Sequence, residues 1–375
     1  MSSCCRIALL GFGTVGSAVA RRLTAPGPGV SPHVQLTHIF DRRAGEKRAT
    51  LRAASRGDAI TWTSSVDDVL ESDADVIVEA IGGVEPAADW IRAALLAGKS
   101  VVTANKQVVA RHGASLLKIA ARQGRQLRFE AAVGGAMPIV RAIGEGLAGD
   151  RLTRVTAILN GTTNAVLSQM EATGCTLDAA VRDARARGYA EADPSADLDG
   201  EDARAKLAIL CALAFGLRVD PAQIAIRSSA SITADDFARA RLHGATLRQI
   251  AHAEYDHAAA ALNAWVAPVE VALTSIFAQT HGPQNAVLIR GTHSGEIGIF
   301  GAGAGGDATA VAVLGDIAAI ARDKAAIVPP RALTRDFRLQ NADFRLRSSD
   351  FRFGPSVRIP TSNFELLDSV FVEAS

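Results

Sequence analysis

Cysteine, aromatic side chains and net charge are all scarce in this chain, and each scarcity removes a class of function. Four cysteines, Cys4, Cys5, Cys175 and Cys211, are spread over 375 residues with no C-x-x-C pair and no metal-ligand spacing. That pattern excludes a disulfide scaffold and a zinc ribbon, and it fits a reducing cytoplasm. Lysine and arginine number 40 against 39 aspartates and glutamates, leaving a formal charge of +1. No global field therefore draws the protein to nucleic acid or to a membrane surface. No apolar run approaches the roughly 18 residues of a membrane span, and the N-terminus reads as a strand rather than a signal peptide. What remains is a chain long enough for two domains and a large core.

Arg6–Leu10, "RIALL", is an apolar run of the kind a buried parallel strand shows. It leads into "GFGTVGSAVARRL", where Val15, Ala18, Val19 and Leu23 recur at helical spacing. Further strands are expected at "QLTHIF" before Asp41, at "DVIVEAIGG" (75–83) and at "KSVVTAN" (99–105), with helices between the later ones. This alternation predicts an α/β fold built on a Rossmann-type, doubly wound parallel sheet. After about Gly135 the pattern changes to amphipathic helices mixed with the strands "LTRVTAIL", "VAPVEVAL" and "NAVLIRG", as in a second, α+β domain. From Gly298 a strand, a glycine loop and a helix are expected to return the chain to the first domain. The expected division is 1–135 with 301–330 for a dinucleotide, 136–300 for substrate, and a tail over 331–375. In that tail Asp336, Asp343 and Asp350 each open a D-F-R-[L/F] unit. The repeat lacks the apolar seam of a coiled coil and reads as a disordered tandem repeat outside the core.

Gly11, Gly13 and Gly16, with Phe12, Thr14 and Val15 between them, form the G-x-G-x-x-G pattern after a strand and at the start of a helix. The spacing permits a tight turn and close approach of a pyrophosphate to the helix N-terminus. Asp41, ending the second strand, is placed to accept hydrogen bonds from an adenosine ribose, whereas Arg42 and Arg43 could hold a 2′-phosphate instead. Lys106 follows the fourth strand, just after Thr103, on the edge where open α/β sheets bind ligands. Glu130 precedes a glycine-containing loop, where carboxylate and carbonyls could bind a hard cation or the carboxylate could cap a helix.

The densest signal is "GYAEADPSADLDGEDARAK", with Glu191, Asp193, Asp197, Asp199, Glu201 and Asp202 crowded before Lys206. An acidic loop in which Asp199 caps the following helix explains part of it. On a helical wheel from Gly200 to Phe215, Ala203, Leu207, Leu210 and Ala214 form one apolar row. Asp202, Lys206, Ile209 and Leu213 form a second row beside it, with Glu201, Arg204 and Ala208 on the far side. Asp202 and Lys206 thus sit one turn apart on the interior arc, as either a structural ion pair or a centre for acid–base chemistry.

Four segments together resemble homoserine dehydrogenase of the bacterial monofunctional kind: "NGTTNAVLSQM", "GYAEADPSADLDGEDARAKLAIL", "TANK" and "GAGAGGDATAVAVLGD". The resemblance covers about residues 5 to 325 with matching motif order. It implies interconversion of L-homoserine and L-aspartate 4-semialdehyde with NADP or NAD, in threonine and methionine biosynthesis, by a homodimer joined through the second domain. It assigns Lys206 as proton donor or acceptor, with Asp202 and Lys106 beside it, and Glu191, Asp197 and Asp202 to substrate. Coenzyme contacts fall to Gly11 through Gly16, Asp41, Arg42, Thr103, Lys106 and Gly305, with Thr309 in the same loop-to-helix motif. Glu130, Val133, Gly135 and Met137 would match a sodium site. Phe40 stands where many relatives have an arginine, so both coenzymes are expected to be accepted. Relatives also carry a C-terminal regulatory ACT domain that this sequence does not show. An aspartate-semialdehyde dehydrogenase would need a nucleophilic cysteine, and a non-catalytic dinucleotide sensor would not need the charged cluster.

Overall fold

The computed structural model describes residues 4–25, 33–52 and 60–323, with the backbone of 335–336 and 357–358. The first sheet contains β1 (Cys5–Leu10), β2 (Val34–Phe40), β3 (Thr61–Thr63), β4 (Val76–Glu79), β5 (Ser100–Thr103) and β6 (Leu127–Arg128). Its order is β3-β2-β1-β4-β5-β6 and every pairing is parallel. The sheet is of the doubly wound parallel kind that the sequence predicts, with β3 and β6 as strands not expected there, and it opens a crevice at the carboxyl ends of β1 and β4, where the strand order reverses. Alternation along β1 feeds both faces: Ile7 and Leu9 join Val19, Val313 and Ile317, while Ala8 and Leu10 join Ile91, Val108 and Leu116.

The second sheet takes β7 (Leu152–Ile158), β9 (Ala225–Ile226), β10 (Ala245–Asp256), β11 (Ala261–Ala272), β12 (Gln284–Gly291) and β13 (Gly295–Ala302). β7, β10, β11, β12 and β13 pair antiparallel, and β9 adds a parallel contact to β11. The strand expected from Gly298 is β13, hairpinned to β12 in this second sheet and not part of the first. Only the helix after it, Gly306–Arg322, returns to pack against Thr14–Thr24. A Cβ on Gly306 would lie 2.8 Å from Thr14 Cγ2, so this close approach requires glycine. The short strand β8 (Leu217–Arg218) runs parallel to Arg335–Asp336, and Val357–Arg358 runs antiparallel to β11. The rest of the expected tail lies outside the described residues.

The helix Glu201–Phe215 joins the two sheets, because its Ala203, Leu207 and Leu210 share one core with Leu10 and Ile77 of the first and Val155 and Ala251 of the second. Leu207 and Leu210 are fully buried, each contributing about 1.5–3 kcal/mol. Ala208, expected on the far side of the wheel, is buried too, because that side meets the helix Lys106–Arg122. Asp199 does not cap this helix. Gly200 occupies the N-cap in a left-handed conformation, φ 89°, and Asp199 accepts the Ser228 hydroxyl at 2.6 Å.

His252, on β10, is stacked on Trp265 with ring centroids 5.0 Å apart and shares a hydrogen bond with Thr156. Burial, with Arg154 nearby, pushes its pKa down to about 3. The folded state therefore holds it neutral, and its contribution is complete above the unfolded value of about 6.5 and is lost as pH falls toward 3, at about 1.4 kcal/mol per unit. His252→Gln should flatten the decline of unfolding free energy between about pH 6.5 and 4, measured by urea titration. An unchanged decline would remove His252 as its source.

Candidate active site

The site begins with a frame at the carboxyl ends of β4 and β5. Glu79, fully buried, accepts the Thr103 hydroxyl at 2.5 Å and the N–H groups of Ile81 and Gly82. Asn105 donates to the Gly83 carbonyl at 2.6 Å and caps the next helix by accepting from Val108 N–H. The first residue of that helix is Lys106. A cation there opposes the helix dipole, so its position depends on an anion from elsewhere.

Asp202 supplies it. Its Oδ1 lies 2.5 Å from Lys106 Nζ and its Oδ2 lies 2.8 Å from Lys206 Nζ. Asn160 Nδ2 donates to the same Oδ2 at 2.9 Å and to Asp197 Oδ1 at 2.6 Å, while its Oδ1 caps the helix Gly161–Thr173 through Thr163 N–H. Burial works to raise the Asp202 pKa, but Lys206 and Lys106 override it and hold the carboxyl well below the usual range. For Lys106 burial pulls downward, yet Asp202, Asp197 and Glu191 prevail and its ammonium is held more firmly than usual. Burial raises Asp197, against the hydrogen bond from Asn160. Lys206 also donates to the Leu159 carbonyl at 2.7 Å. An ammonium has three N–H donors, so among the described residues Lys206 has one without a partner and Lys106 two.

The six crowded carboxylates divide by partner. Asp193 is turned onto Ser195, Asp199 onto Ser228 and Glu201 onto Arg204. Asp202 bridges both lysines, Asp197 shares the Asn160 amide with it, and the charge of the exposed Glu191 helps to hold the Lys106 ammonium. Arg185 holds the Glu191 segment through the carbonyls of Glu191 and Ala192, and Gln249 holds the Asp197 turn through the Leu198 carbonyl at 3.2 Å.

At the coenzyme end, a Cβ on Gly16 would lie 2.0 Å from the Gly11 carbonyl oxygen, whereas one on Gly13 would meet nothing within 4 Å. Gly13 is the N-cap of Thr14–Thr24 with no side-chain cap, so free N–H donors face open space, as a pyrophosphate requires. Phe12 packs on Trp62. Gly305 starts the Gly306–Arg322 helix at φ 112°, and Thr309 N–H bonds to its carbonyl. Phe40 turns into the core against Trp90, away from any ribose. The Thr103 hydroxyl donates to Glu79, so Thr103 supports the cleft from behind.

A family model for the homoserine dehydrogenase NAD-binding domain matches residues 11–130, and one for homoserine dehydrogenase matches residues 138–318. The homoserine dehydrogenase of Mycobacterium tuberculosis is 39% identical over 322 residues, covering 84% of this chain and 72% of the relative. The chain belongs to the homoserine dehydrogenase family. The enzyme of Bacillus subtilis is 33% identical over 318 residues, covering 85% of this chain and 73% of its own length. Among solved structures, the homoserine dehydrogenase from Thiobacillus denitrificans superposes with a TM-score of 0.79 at 31% identity, covering 89% of this chain and 78% of that one. A hyperthermophilic archaeal homoserine dehydrogenase in complex with NADPH gives 0.68 at 28% identity, over 85% of this chain and 98% of that one. Homoserine dehydrogenase activity, NAD(P) binding and an amino-acid substrate follow for the chain. Among the described residues no helix is long and apolar enough to cross a membrane.

Sequence reasoning passed over Glu79, Asn160 as a clamp, and Gln249. The N-cap signal at Asn160 was available, since "LNGTTN" places Asn before a helix, but its second grip on two carboxylates was not. Asn160→Ala should lose about 1 kcal/mol of stability with the cap and at least about tenfold in kcat as Asp202 and Asp197 loosen. Asn160→Ser keeps a capping oxygen but is too short for the clamp. Its unfolding midpoint should recover while kcat stays low, and recovery of both would reduce Asn160 to a cap.

Proposed function

We propose that the cleft reduces the aldehyde of L-aspartate 4-semialdehyde with hydride from NAD(P)H, and the reverse with L-homoserine, with Lys206 as the proton donor or acceptor. The observation that carries this reading is the Lys206 ammonium itself, with two N–H groups fixed on Asp202 and Leu159 and one left over. As hydride reaches the aldehyde carbon, the oxygen becomes an alkoxide, and that N–H, or a water held by it, gives the proton. Lys106, between the coenzyme edge and Asp202, stabilises the same developing charge. Glu191 and Asp197 complement the substrate ammonium. The first sheet, with the helix Gly306–Arg322, holds the coenzyme, and the domain of the second sheet holds substrate and forms the dimer.

The residues fit a bound dinucleotide: Gly11, Gly13 and Gly16 cradle the phosphates, Asp41 and Arg42 flank the adenosine end, and Gly305 lies in the loop facing them. The coenzyme supplies hydride, and this chain supplies orientation and the proton. The sodium site that the resemblance implies would comprise Glu130, Val133, Gly135 and Met137. Both Glu130 carboxylate oxygens accept N–H groups, from Val140 and Arg141, and burial with Asp316 pushes Glu130 up to about 7. The ion would therefore rest on the carbonyls of Val133 and Gly135, with Met137 already accepting from Ile139 N–H. The cysteine usage supports a cytoplasmic setting.

An aspartate-semialdehyde dehydrogenase reading lacks support for its nucleophile: Cys211 and Cys5 are buried in the core, Cys4 precedes β1 at the end of the sheet opposite the crevice, and Cys175 packs beside the helix Gly161–Thr173. A pure sensor leaves the Lys206 geometry without use. In an assay of coenzyme absorbance with L-homoserine, Lys206→Ala should lower kcat at least about a hundredfold, with coenzyme affinity retained. Asp202→Asn should also lower kcat. A Lys206→Ala enzyme that keeps kcat and raises only KM would reject the proton-transfer role.

A further inference from the structure

Asp41 stands where a coenzyme ribose would be received, yet its carboxylate is already engaged. Phe12 N–H donates to Oδ2 at 3.0 Å and Arg43 N–H to Oδ1 at 2.9 Å. Lys47, on the helix Ala44–Arg52, donates to the same Oδ2 at 2.6 Å and to the Phe12 carbonyl at 3.0 Å. The two side chains are only 12% and 21% exposed, so the pair is shielded from solvent and linked to the residue between the first two fingerprint glycines. A carboxylate has about four lone-pair sites, and three of these are taken. An unphosphorylated ribose offers two hydroxyl donors side by side and finds one free site.

A 2′-phosphate meets the opposite situation. An unpaired Asp41 would repel a dianion, but Lys47 neutralises it, and the third Lys47 N–H has no partner among the described residues. Arg42 and Arg43 are exposed on the turn between Asp41 and this helix. Burial tends to raise the Asp41 pKa, but the hydrogen bond from Lys47 leads the groups that keep it low, so the carboxylate is charged and its neutralisation depends on the lysine.

We propose that Lys47 sets the coenzyme preference, neutralising Asp41 and offering its remaining N–H to the 2′-phosphate, so that this chain selects NADPH over NADH. The proposal rests on the reading of the cleft as an NAD(P) site and narrows the expectation that both coenzymes bind comparably. Lys47 had no sequence signal, since it lies six residues beyond Asp41 and is brought back by the turn of its helix.

The test is the ratio of dissociation constants for NADH and NADPH, followed by fluorescence of the full chain without substrate; Trp62, against Phe12 at 4.9 Å, is a built-in reporter. The parent should favour NADPH. Lys47→Ala should shrink the ratio by about tenfold to a hundredfold, the range for one charge-assisted hydrogen bond. Lys47→Arg should hold it within about threefold. Asp41→Asn, which takes away the charge that Lys47 now offsets and leaves the lysine's positive charge uncompensated, should move the ratio the other way. Equal weakening of both coenzymes in Lys47→Ala would mean that Lys47 merely braces the glycine loop, and that result overturns the proposal, as does an unmoved ratio in Asp41→Asn. The substrate assignment fails separately: coenzyme would bind with its preference intact while homoserine gave no turnover.

Discussion

One carboxylate between two ammoniums governs this structure. Asp202 holds Lys106 from the first sheet's edge and Lys206 from its own helix, so a single buried group fixes both cationic side chains. A lone buried carboxylate would cost several kcal/mol in desolvation. Two cations and an amide donor on its oxygens offset that penalty, and removing any one of them weakens the compensation of a buried charge. The N-terminal turn of the Glu201–Phe215 helix adds favourable dipole field to Asp202. Lys106 sits where the dipole opposes it, so its attachment to Asp202 decides where it points.

The pieces legible in the sequence were those with a short period or a fixed spacing. The glycine fingerprint, the alternation of strands and helices and the placing of Asp202 and Lys206 on an interior arc each follow from local geometry. β10 was not legible, because its buried residues include Arg248, Gln249 and His252, and polar side chains at core positions erase the apolar pattern. Each has its partner in another element: Arg248 pairs with Glu171 at 2.7 Å, Gln249 serves the Asp197 turn, and His252 stacks on Trp265. β13 was legible as a strand but not in its sheet, which is set by the hairpin with β12.

Glu79, Asn160 and Lys47 share a different obscurity. Their functions come from grips on residues far along the chain: Glu79 on Thr103, Asn160 on Asp197 and Asp202, and Lys47 on Phe12. A single sequence carries no record of such pairs. The local cue at Asn160, a helix cap, is real but states only half of what the side chain does. The six acidic residues illustrate the converse. Their density announced a site, but three of them are structural, and only their partners separate the two groups.

The frame behind the lysines explains why so much polar chemistry is buried at the cleft. Strands of a parallel sheet end with backbone groups unpaired, and here Glu79, Thr103 and Asn105 satisfy them in the turns after β4 and β5. Across the cleft, Asn160 and Lys206 do the same for Thr163 N–H and the Leu159 carbonyl. With those groups satisfied, the donors left unmatched around Asp202 among the described residues include the remaining N–H bonds of Lys206 and Lys106. On the proposed mechanism, a reacting oxygen placed between the sheets would meet two cations whose other bonds hold them in position, so little reorganisation would be needed when negative charge appears on that oxygen.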